Sequence, residues 1–236
     1  MKKQLCTIIL FILFAQLSFS QIKWGLYGGK TRSEFINKTT KSSFDLGGIG
    51  SIEFNDDQTM YSSGSSHFGW FIEPHIIHNL YFESGMIYEK RGFSKIEYYE
   101  LHDMNHNYHY KMPYLGIPLS LNYYIVNKKF KLYILAGQKI GWFFEGEKGV
   151  SKNYRASKSG AEINVSTIRT EKIPVGKEGY FKSFNYDILL GGGIGVGRFY
   201  LVGVYNYGIN NLSNINLFDY RIRVFNLSLK IDFSTK

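Results

Sequence analysis

The chain has 236 residues, of which 17% are aromatic, and it carries a formal charge of +9 at pH 7. A single cysteine, Cys6, excludes an internal disulfide framework and a metal site built from several thiolates. The basic residues are scattered and interleaved with acidic ones, so the charge does not indicate a nucleic-acid-binding patch. The many Tyr and Phe residues are more typical of a surface with aromatic rings at a membrane boundary.

The amino terminus has the three parts of a secretory signal peptide. Two lysines precede an apolar run at residues 5–14, and small and polar residues follow it. This run is well short of the roughly 20 residues that a spanning helix needs. We therefore predict a cleaved signal peptide at 1–20 and one domain at 21–236. Cleavage would remove Cys6 together with two lysines, and would lower the formal charge from +9 to +7.

The rest of the chain alternates apolar and polar residues with a period of two, as β-strands do. The clearest example is YLGIPLSLNYY at 114–124. Eight such segments are predicted as strands, in chain order at 22–30, 68–78, 80–91, 110–125, 129–144, 182–196, 198–210 and 219–233. A further segment at 44–54 is interpreted as an extracellular extension or a small hairpin within a loop, with a ten-stranded barrel as the alternative.

Short and long connections alternate between these predicted strands. Tight turns lie at His78-Asn79, Asn127-Lys128 and Gly197, and the long connections lie at 31–67, 92–109, 145–181 and 211–218. All the long connections therefore emerge at the same end. Outer-membrane barrels have this asymmetry around an even number of strands. We predict an all-β, eight-stranded antiparallel up-and-down transmembrane β-barrel with short periplasmic turns and long extracellular loops.

The strand period also assigns residues to the two faces of the barrel wall. The face opposite the apolar one carries mainly Gly, Ser, Asn and Tyr. In a soluble barrel this face would meet water and would be rich in Lys and Glu. This composition favours the filled interior of a small transmembrane barrel. The residues predicted to face lipid on two strands are Leu115, Ile117, Leu119, Leu121, Phe225, Leu227, Leu229, Ile231 and Phe233.

A few charged residues have the parity of the interior. They are Glu73, Glu83, Glu89, Lys139, Asp187, Lys230 and Asp232. Because an unpaired charge in a dry interior is costly, we expect a structural ion-pair network rather than a catalytic site. The alternative is a narrow polar conduit, for which an eight-stranded barrel seldom has room.

Two other segments are weak candidates for chemistry. His102, His106 and His109 lie close together in a polar loop and could bind Zn²⁺ or Cu²⁺, but an exposed loop without a metal site is the preferred interpretation. The dipeptide Ser66-His67 cannot form a nucleophile and base pair, because adjacent side chains on a strand point to opposite faces. No catalytic residue, metal or cofactor is therefore predicted.

Five segments together resemble the PorT-like outer-membrane β-barrel family of Gram-negative bacteria. They are YLGIPLSLNYY, FKLYILAGQKIGWFF, FNYDILLGGGIGV, FYLVGVYNYGINNLS and RVFNLSLKIDF, within residues 22–233. The chain departs from the family pattern at Val202 and Val204, where the family often carries charges. It also departs at Phe233, which is followed by three further residues. The resemblance implies an outer-membrane barrel and, for some members, a role in type IX secretion and gliding.

The expected function is a non-enzymatic barrel whose outer loops bind a surface partner or which supports envelope or secretion assembly. A small porin-like channel and a lipid-modifying enzyme are the alternatives. The expected partners are outer-membrane lipid and lipopolysaccharide, periplasmic chaperones and the barrel-assembly machinery, and a secretion-machinery or surface protein. Nucleic acid is not expected as a partner.

Overall fold

The computed structural model describes residues 22–37, 42–45, 51–54, 60–99, 104–154, 165–176, 179, 181–214 and 220–234. These residues form twelve strands. Their bounds are β1 Ile22–Asn37, β2 Ser42–Asp45, β3 Ser51–Phe54, β4 Met60–Ile77, β5 Leu80–Tyr99, β6 Met104–Asn127, β7 Phe130–Phe143, β8 Gly146–Tyr154, β9 Val165–Ile173, β10 Phe184–Val196, β11 Phe199–Gly208 and β12 Tyr220–Asp232. The described part of the chain contains no helix long and apolar enough to cross a membrane.

Eight of the strands close into an antiparallel barrel. Around the wall their order is β5, β4, β1, β12, β11, β10, β7 and β6, and β5 pairs with β6 to complete the circle. The first and last strands, β1 and β12, are neighbours in register from Gly25 opposite Asp232 to Asn37 opposite Tyr220. The eight-stranded prediction is confirmed, and the ten-stranded barrel is wrong.

The tight turns lie at one end of the barrel and the other connections at the opposite end. The predicted long connection at 92–109 is mostly strand, because β5 continues to Tyr99 and β6 begins at Met104. Described turns occupy residues 78–79, 128–129 and 197–198. His78 and Gly197 have φ angles of 51° and 61°, in the left-handed region that tight hairpin turns require. Within the first long connection, β2 and β3 pair as a small antiparallel hairpin, which confirms the interpretation of segment 44–54.

The connection at 145–181 contains two strands that the sequence analysis did not predict. The hairpin of β8 and β9 continues the barrel wall, because β8 pairs with Met104–Lys111 of β6, beyond the part of β6 that pairs with β7. Neither β8 nor β9 shows an apolar alternation, with sequences GEKGVSKNY and VSTIRTEKI. Val150 and Ile173 are buried, but without a regular alternation a strand lacks the signal on which the prediction depended.

Two hydrophobic clusters occupy the interior near its two ends. The aromatic plug, at the end with the long connections, consists of Phe35, Phe93, Met112, Tyr114, Phe143, Ile173, Phe181, Leu212, Ile222 and Val224. The tyrosine cluster, near the tight turns, consists of Tyr81, Tyr124, Tyr133, Leu135, Leu189, Tyr200 and Val202. Phe181 lies in a connection that folds over the barrel end, where it bridges to Val175 and Ser213.

One inward glycine makes room for the tyrosine cluster. A Cβ added at Gly193 would lie 2.6 Å from the ring of Tyr133, closer than real Cβ contacts allow. We expect Gly193→Val to destabilise the barrel by about 1 to 3 kcal/mol through overpacking. The control is Gly203→Val on the outer face, where an added Cβ would have only ordinary contacts, the nearest at 3.8 Å from Phe225.

The measurement is the urea midpoint for unfolding of each variant from lipid vesicles. Equal midpoints for the two valine variants would contradict the packing role of Gly193.

Candidate functional site

The charged interior residues come from six different strands, and each has the inward parity of its strand. Glu89 and Arg91 are two residues apart on β5, so both side chains enter the interior and lie on the same face. Lys139 on β7 and Asp187 on β10 are register partners, which brings a lysine beside an aspartate. The alternation of side chains along each strand, together with the register between strands, therefore places opposite charges at the same level of the barrel.

The first group, the Arg91 network, consists of Glu89, Arg91, Lys139 and Asp187, all buried. The Arg91 Nη2 atom lies 2.6 Å from Glu89 Oε1 and 2.8 Å from Asp187 Oδ2. Lys139 Nζ lies 2.9 Å from Glu89 Oε1. Two cations thus face two anions, which compensates the formal charge inside the barrel.

Neutral side chains add further contacts to this network. Asn226 donates a hydrogen bond from Nδ2 to Glu89 Oε2 at 3.0 Å, and Asn185 donates from Nδ2 to Asp187 Oδ1 at 2.6 Å. The Arg91 guanidinium also lies over the ring of Tyr114, with Cζ 3.6 Å from the ring centroid. This cation–π contact joins the network to the aromatic plug, so both are expected to be rigid.

The second group, the Lys230 network, lies nearer the tight turns. Lys230 Nζ is 3.0 Å from Glu73 Oε2 and 2.7 Å from Glu83 Oε2. Lys23 Nζ lies 3.7 Å from Glu73 Oε1 and 3.7 Å from the ring centroid of Tyr81. Two cations again face two anions. The Tyr124 hydroxyl donates to Glu73 Oε1 at 2.8 Å, which ties this group to the tyrosine cluster.

A cavity of about 60 Å³ lies between the two networks, and Lys139 and Lys230 both line it. This volume has room for a few water molecules only. Buried side chains of the two clusters and the two networks occupy the interior around it, as expected for an eight-stranded barrel. The arrangement can hold the wall rigid, but it provides no space for a substrate beside the charged groups.

His67 is also buried inside the barrel, away from the two ends. Its Nδ1 atom lies 2.9 Å from Thr31 Oγ1 and its Nε2 atom lies 2.7 Å from Ser228 Oγ. Its chain neighbour Ser66 lies on the outer face, where Lys30 Nζ donates to Ser66 Oγ at 3.3 Å. The two side chains of the dipeptide thus occupy opposite faces of the wall.

The structure places six of the seven predicted interior residues in these two networks. Asp232 also points inwards, and its carboxylate accepts hydrogen bonds from the backbone N and the Oγ of Ser234, at 2.9 and 2.6 Å. Sequence reasoning missed Arg91 and Lys23, although both have inward parity on their strands. Applying the strand period to every charged residue would have found them.

The histidines of the proposed metal candidate are only partly described. His102 and the side chain of His106 lie outside the described residues, and His109 Nδ1 lies 2.8 Å from Ser94 Oγ on the exposed surface. Within the described ranges, no group of three or more His, Cys, Asp and Glu side chains is arranged to hold a metal ion. His106 and His109 lie in β6, so the loop assignment is wrong for them. The absence of a metal site remains a prediction.

The outer face of the wall carries a closed belt of exposed apolar side chains. The residues assigned to the outer face on β6 and β12 all lie there, half-exposed or exposed. Every barrel strand contributes at least one large apolar residue that is between 37% and 65% exposed: Leu26, Phe68, Met86, Leu121, Ile134, Leu190, Leu201 and Leu229. A water-exposed surface rarely carries a continuous apolar patch of this extent. The belt is typical of a barrel that is surrounded by lipid.

A comparison with protein families agrees with this geometry. Residues 14–214 match the family described as outer membrane protein beta-barrel domain, which is well over half of the chain. The chain belongs to this family. The family places it in the outer membrane, so the tight turns are periplasmic and the long connections extracellular. No curated protein matches the sequence.

Several solved outer-membrane barrels are similar in fold. They include the attachment invasion locus protein Ail of Yersinia pestis, with 11% identity over 90% of this chain and 99% of that chain and a TM-score of 0.34. Neisserial surface protein A has 12% identity over 89% and 97%, with a TM-score of 0.38. OprG of Pseudomonas aeruginosa has 12% identity over 92% and 98%, with a TM-score of 0.40. At these identities the similarity concerns the fold alone.

Proposed function

We propose that the protein is a non-enzymatic outer-membrane barrel that presents an extracellular β-sheet to a surface or envelope partner. The observation that carries this proposal is the extension of the wall beyond the barrel by the β8–β9 hairpin. The filled interior supports the same conclusion, because it provides neither a substrate cleft nor a channel.

The extracellular sheet consists of the outer halves of β5 and β6 together with β8 and β9. Residues Met104–Lys111 of β6 pair with β5 on one side and with β8 on the other, so the four strands form one continuous layer. Its described side chains are largely polar, and they include an exposed ion pair between Arg169 and Glu171, 3.2 Å apart. One face of this layer carries Phe93 and Ile173 of the aromatic plug, so the opposite face is the one that it can offer to a protein partner.

The closed interior supports a scaffold role for the barrel itself. The aromatic plug covers the extracellular end. In the two networks below it, charged side chains form ion pairs with one another and do not line an open path. Rigid packing of this kind holds the extracellular sheet at a fixed position above the membrane. The alternative of a small porin-like channel would require this packing to open.

The PorT-like resemblance suggests a more specific role within this proposal. Support for type IX secretion or another envelope assembly would fit a partner that contacts the barrel from the cell surface. We also propose that residues 1–20 are removed as a signal peptide on export, with delivery through periplasmic chaperones and insertion by the barrel-assembly machinery.

Photo-crosslinking in cells tests the surface role. A crosslinking amino acid is placed at Thr170 on β9, and the matched control carries it at Leu201 on the lipid-facing wall. We expect Thr170 to give a discrete protein adduct and Leu201 to give none. The purified barrel, reconstituted in planar bilayers, is expected to show no single-channel current.

The proposal would be contradicted if crosslinking at Thr170 gave no adduct and the purified barrel gave discrete current steps. That result would favour the channel. A change in the mass of lipid A on deletion of the gene would favour the enzyme instead. A type IX role predicts that the same deletion reduces the amount of secreted protein in the medium.

A further inference from the structure

A groove of about 540 Å³ lies on the outer surface of the barrel, where β1, β4 and β12 meet. It is lined by Lys30 and Arg32 of β1, by serines of β4, and by Phe225 and Leu227 of β12. The groove is therefore cationic and hydroxyl-rich on one side and apolar on the other. It lies outside the barrel, apart from the interior networks.

A bulge in β4 shapes this groove. Between the pairs Ser62–Phe93 and His67–Glu89, the chain advances five steps along β4 and four along β5, so β4 carries one extra residue. A Cβ added at Gly64 within the bulge would have nothing within 4 Å. Bulges bend a strand and re-aim its side chains. Here the bend leaves open space on the outer wall beside Lys30 and Arg32.

Hydrogen bonds to serine hydroxyls orient both cations over the groove. Arg32 Nε donates to Ser62 Oγ at 2.8 Å, and Lys30 Nζ lies 3.3 Å from Ser66 Oγ. Both cations are exposed, and both remain on the outer face of the wall. An arginine, a lysine and hydroxyl groups at one place are the donors that bind phosphate oxygens.

Other strands also change from apolar to basic outward side chains, at the end of the apolar belt nearest the long connections. The next outward residue beyond an apolar or aromatic one is Lys90 on β5, Lys111 on β6 and Arg223 on β12. On β1, Lys30 and Arg32 are the outward residues that follow Leu26 and Gly28. We call these five residues the basic collar. The collar lies on the extracellular side of the belt, at the boundary between acyl chains and headgroups.

We propose that the groove binds a phosphate group of outer-leaflet lipid A, with Lys30 and Arg32 on the phosphate and Phe225 and Leu227 against the acyl chains. Lys30 and Arg32 are the register partners of Leu227 and Phe225, so each cation lies beside an apolar side chain, as the phosphate of lipid A lies next to acyl chains. The rest of the basic collar adds long-range attraction to the anionic leaflet. This site is independent of the extracellular partner proposed above, so either proposal can fail alone.

Titration of the purified, detergent-solubilised barrel with diphosphoryl lipid A, read by native mass spectrometry, tests the site. We expect the double variant Lys30→Glu and Arg32→Glu to bind lipid A about tenfold more weakly, through loss of two charge-assisted contacts. The matched control is Lys128→Glu with Lys129→Glu, which makes the same charge change at the exposed periplasmic turn. This control is expected to bind as the wild type does.

Enzymatically dephosphorylated lipid A provides the second arm of the test. We expect it to bind the wild type as weakly as diphosphoryl lipid A binds the groove variant, which carries Lys30→Glu and Arg32→Glu. An unchanged affinity of the groove variant would overturn the proposal, and so would equal loss in the turn variant or equal binding of the two lipids. If the charge reversal prevents insertion, Lys30→Gln with Arg32→Gln gives the same comparison with a smaller charge change.

Discussion

Arg91→Met is expected to lower the free energy of unfolding of the barrel by about 3 to 5 kcal/mol, because it breaks a buried ion-pair group by removing one partner. Glu89 and Asp187 would then face Lys139 alone, and one negative charge would remain uncompensated. The cation–π contact with Tyr114 would also be lost. Within the described interior, the substitution removes three hydrogen bonds to carboxylates, two to Glu89 and one to Asp187.

The measurement is urea unfolding of the barrel in lipid vesicles, followed by tryptophan fluorescence. Trp24, Trp70 and Trp142 all lie on the outer wall, so their emission reports departure from lipid. Adding Asp187→Asn to Arg91→Met restores the charge balance and should recover part of the stability. A double variant no more stable than the single one would contradict the electrostatic explanation.

An exposed ion pair supplies the control for Arg91. Arg169 pairs with Glu171 at 3.2 Å on β9, where the arginine side chain is 78% exposed. Exposed pairs contribute little to stability. Arg169→Met should therefore leave the urea midpoint unchanged. A shift as large as that of Arg91→Met would indicate that loss of an arginine side chain, rather than burial of the charge, causes the effect.

Leu229→Arg is expected to destabilise the inserted barrel by roughly 2 to 4 kcal/mol, the cost of an arginine on the lipid face near the bilayer midplane. Leu229 is 52% exposed and is the third of the five outward apolar residues Phe225, Leu227, Leu229, Ile231 and Phe233. The control is Thr170→Arg, which places the same charge on the extracellular hairpin. It should insert normally.

Insertion is measured as the fraction of protein that shows heat-modifiable gel mobility after refolding into vesicles. We expect a reduced folded fraction for Leu229→Arg only. Equal folded fractions for the two arginine variants would show that the outer face of β12 does not meet lipid.

The eight barrel strands could be predicted because each has one apolar face. In β12, outward Phe225 and Leu227 alternate with inward Asn226 and Ser228, and this period follows from the covalent geometry of an extended chain. The alternation of tight and long connections predicted which end of the barrel carries the long loops. The β8–β9 hairpin escaped prediction because it leaves the membrane, where neither face has to be apolar.

The interior partners could be predicted only as a set of residues. Parity placed Glu83 and Lys230 inside, but they are 147 residues apart in sequence, and nothing local indicates that their side chains lie 2.7 Å apart. Arg91 and Asp187, 96 residues apart, are a second example. Which charges meet depends on the register between neighbouring strands and on the width of the closed barrel.

The sequence by itself determined the number of strands in the barrel, the face on which their side chains lie and the end at which the loops emerge, because these depend on the strand period and on connection lengths. Only the tertiary structure decided that the charges form two separate neutral networks and that aromatic side chains close the extracellular end. It also decided that the β4 bulge opens a groove beside Lys30 and Arg32. These features require strands distant in sequence to be brought together at fixed register, and that register is a property of the closed barrel as a whole.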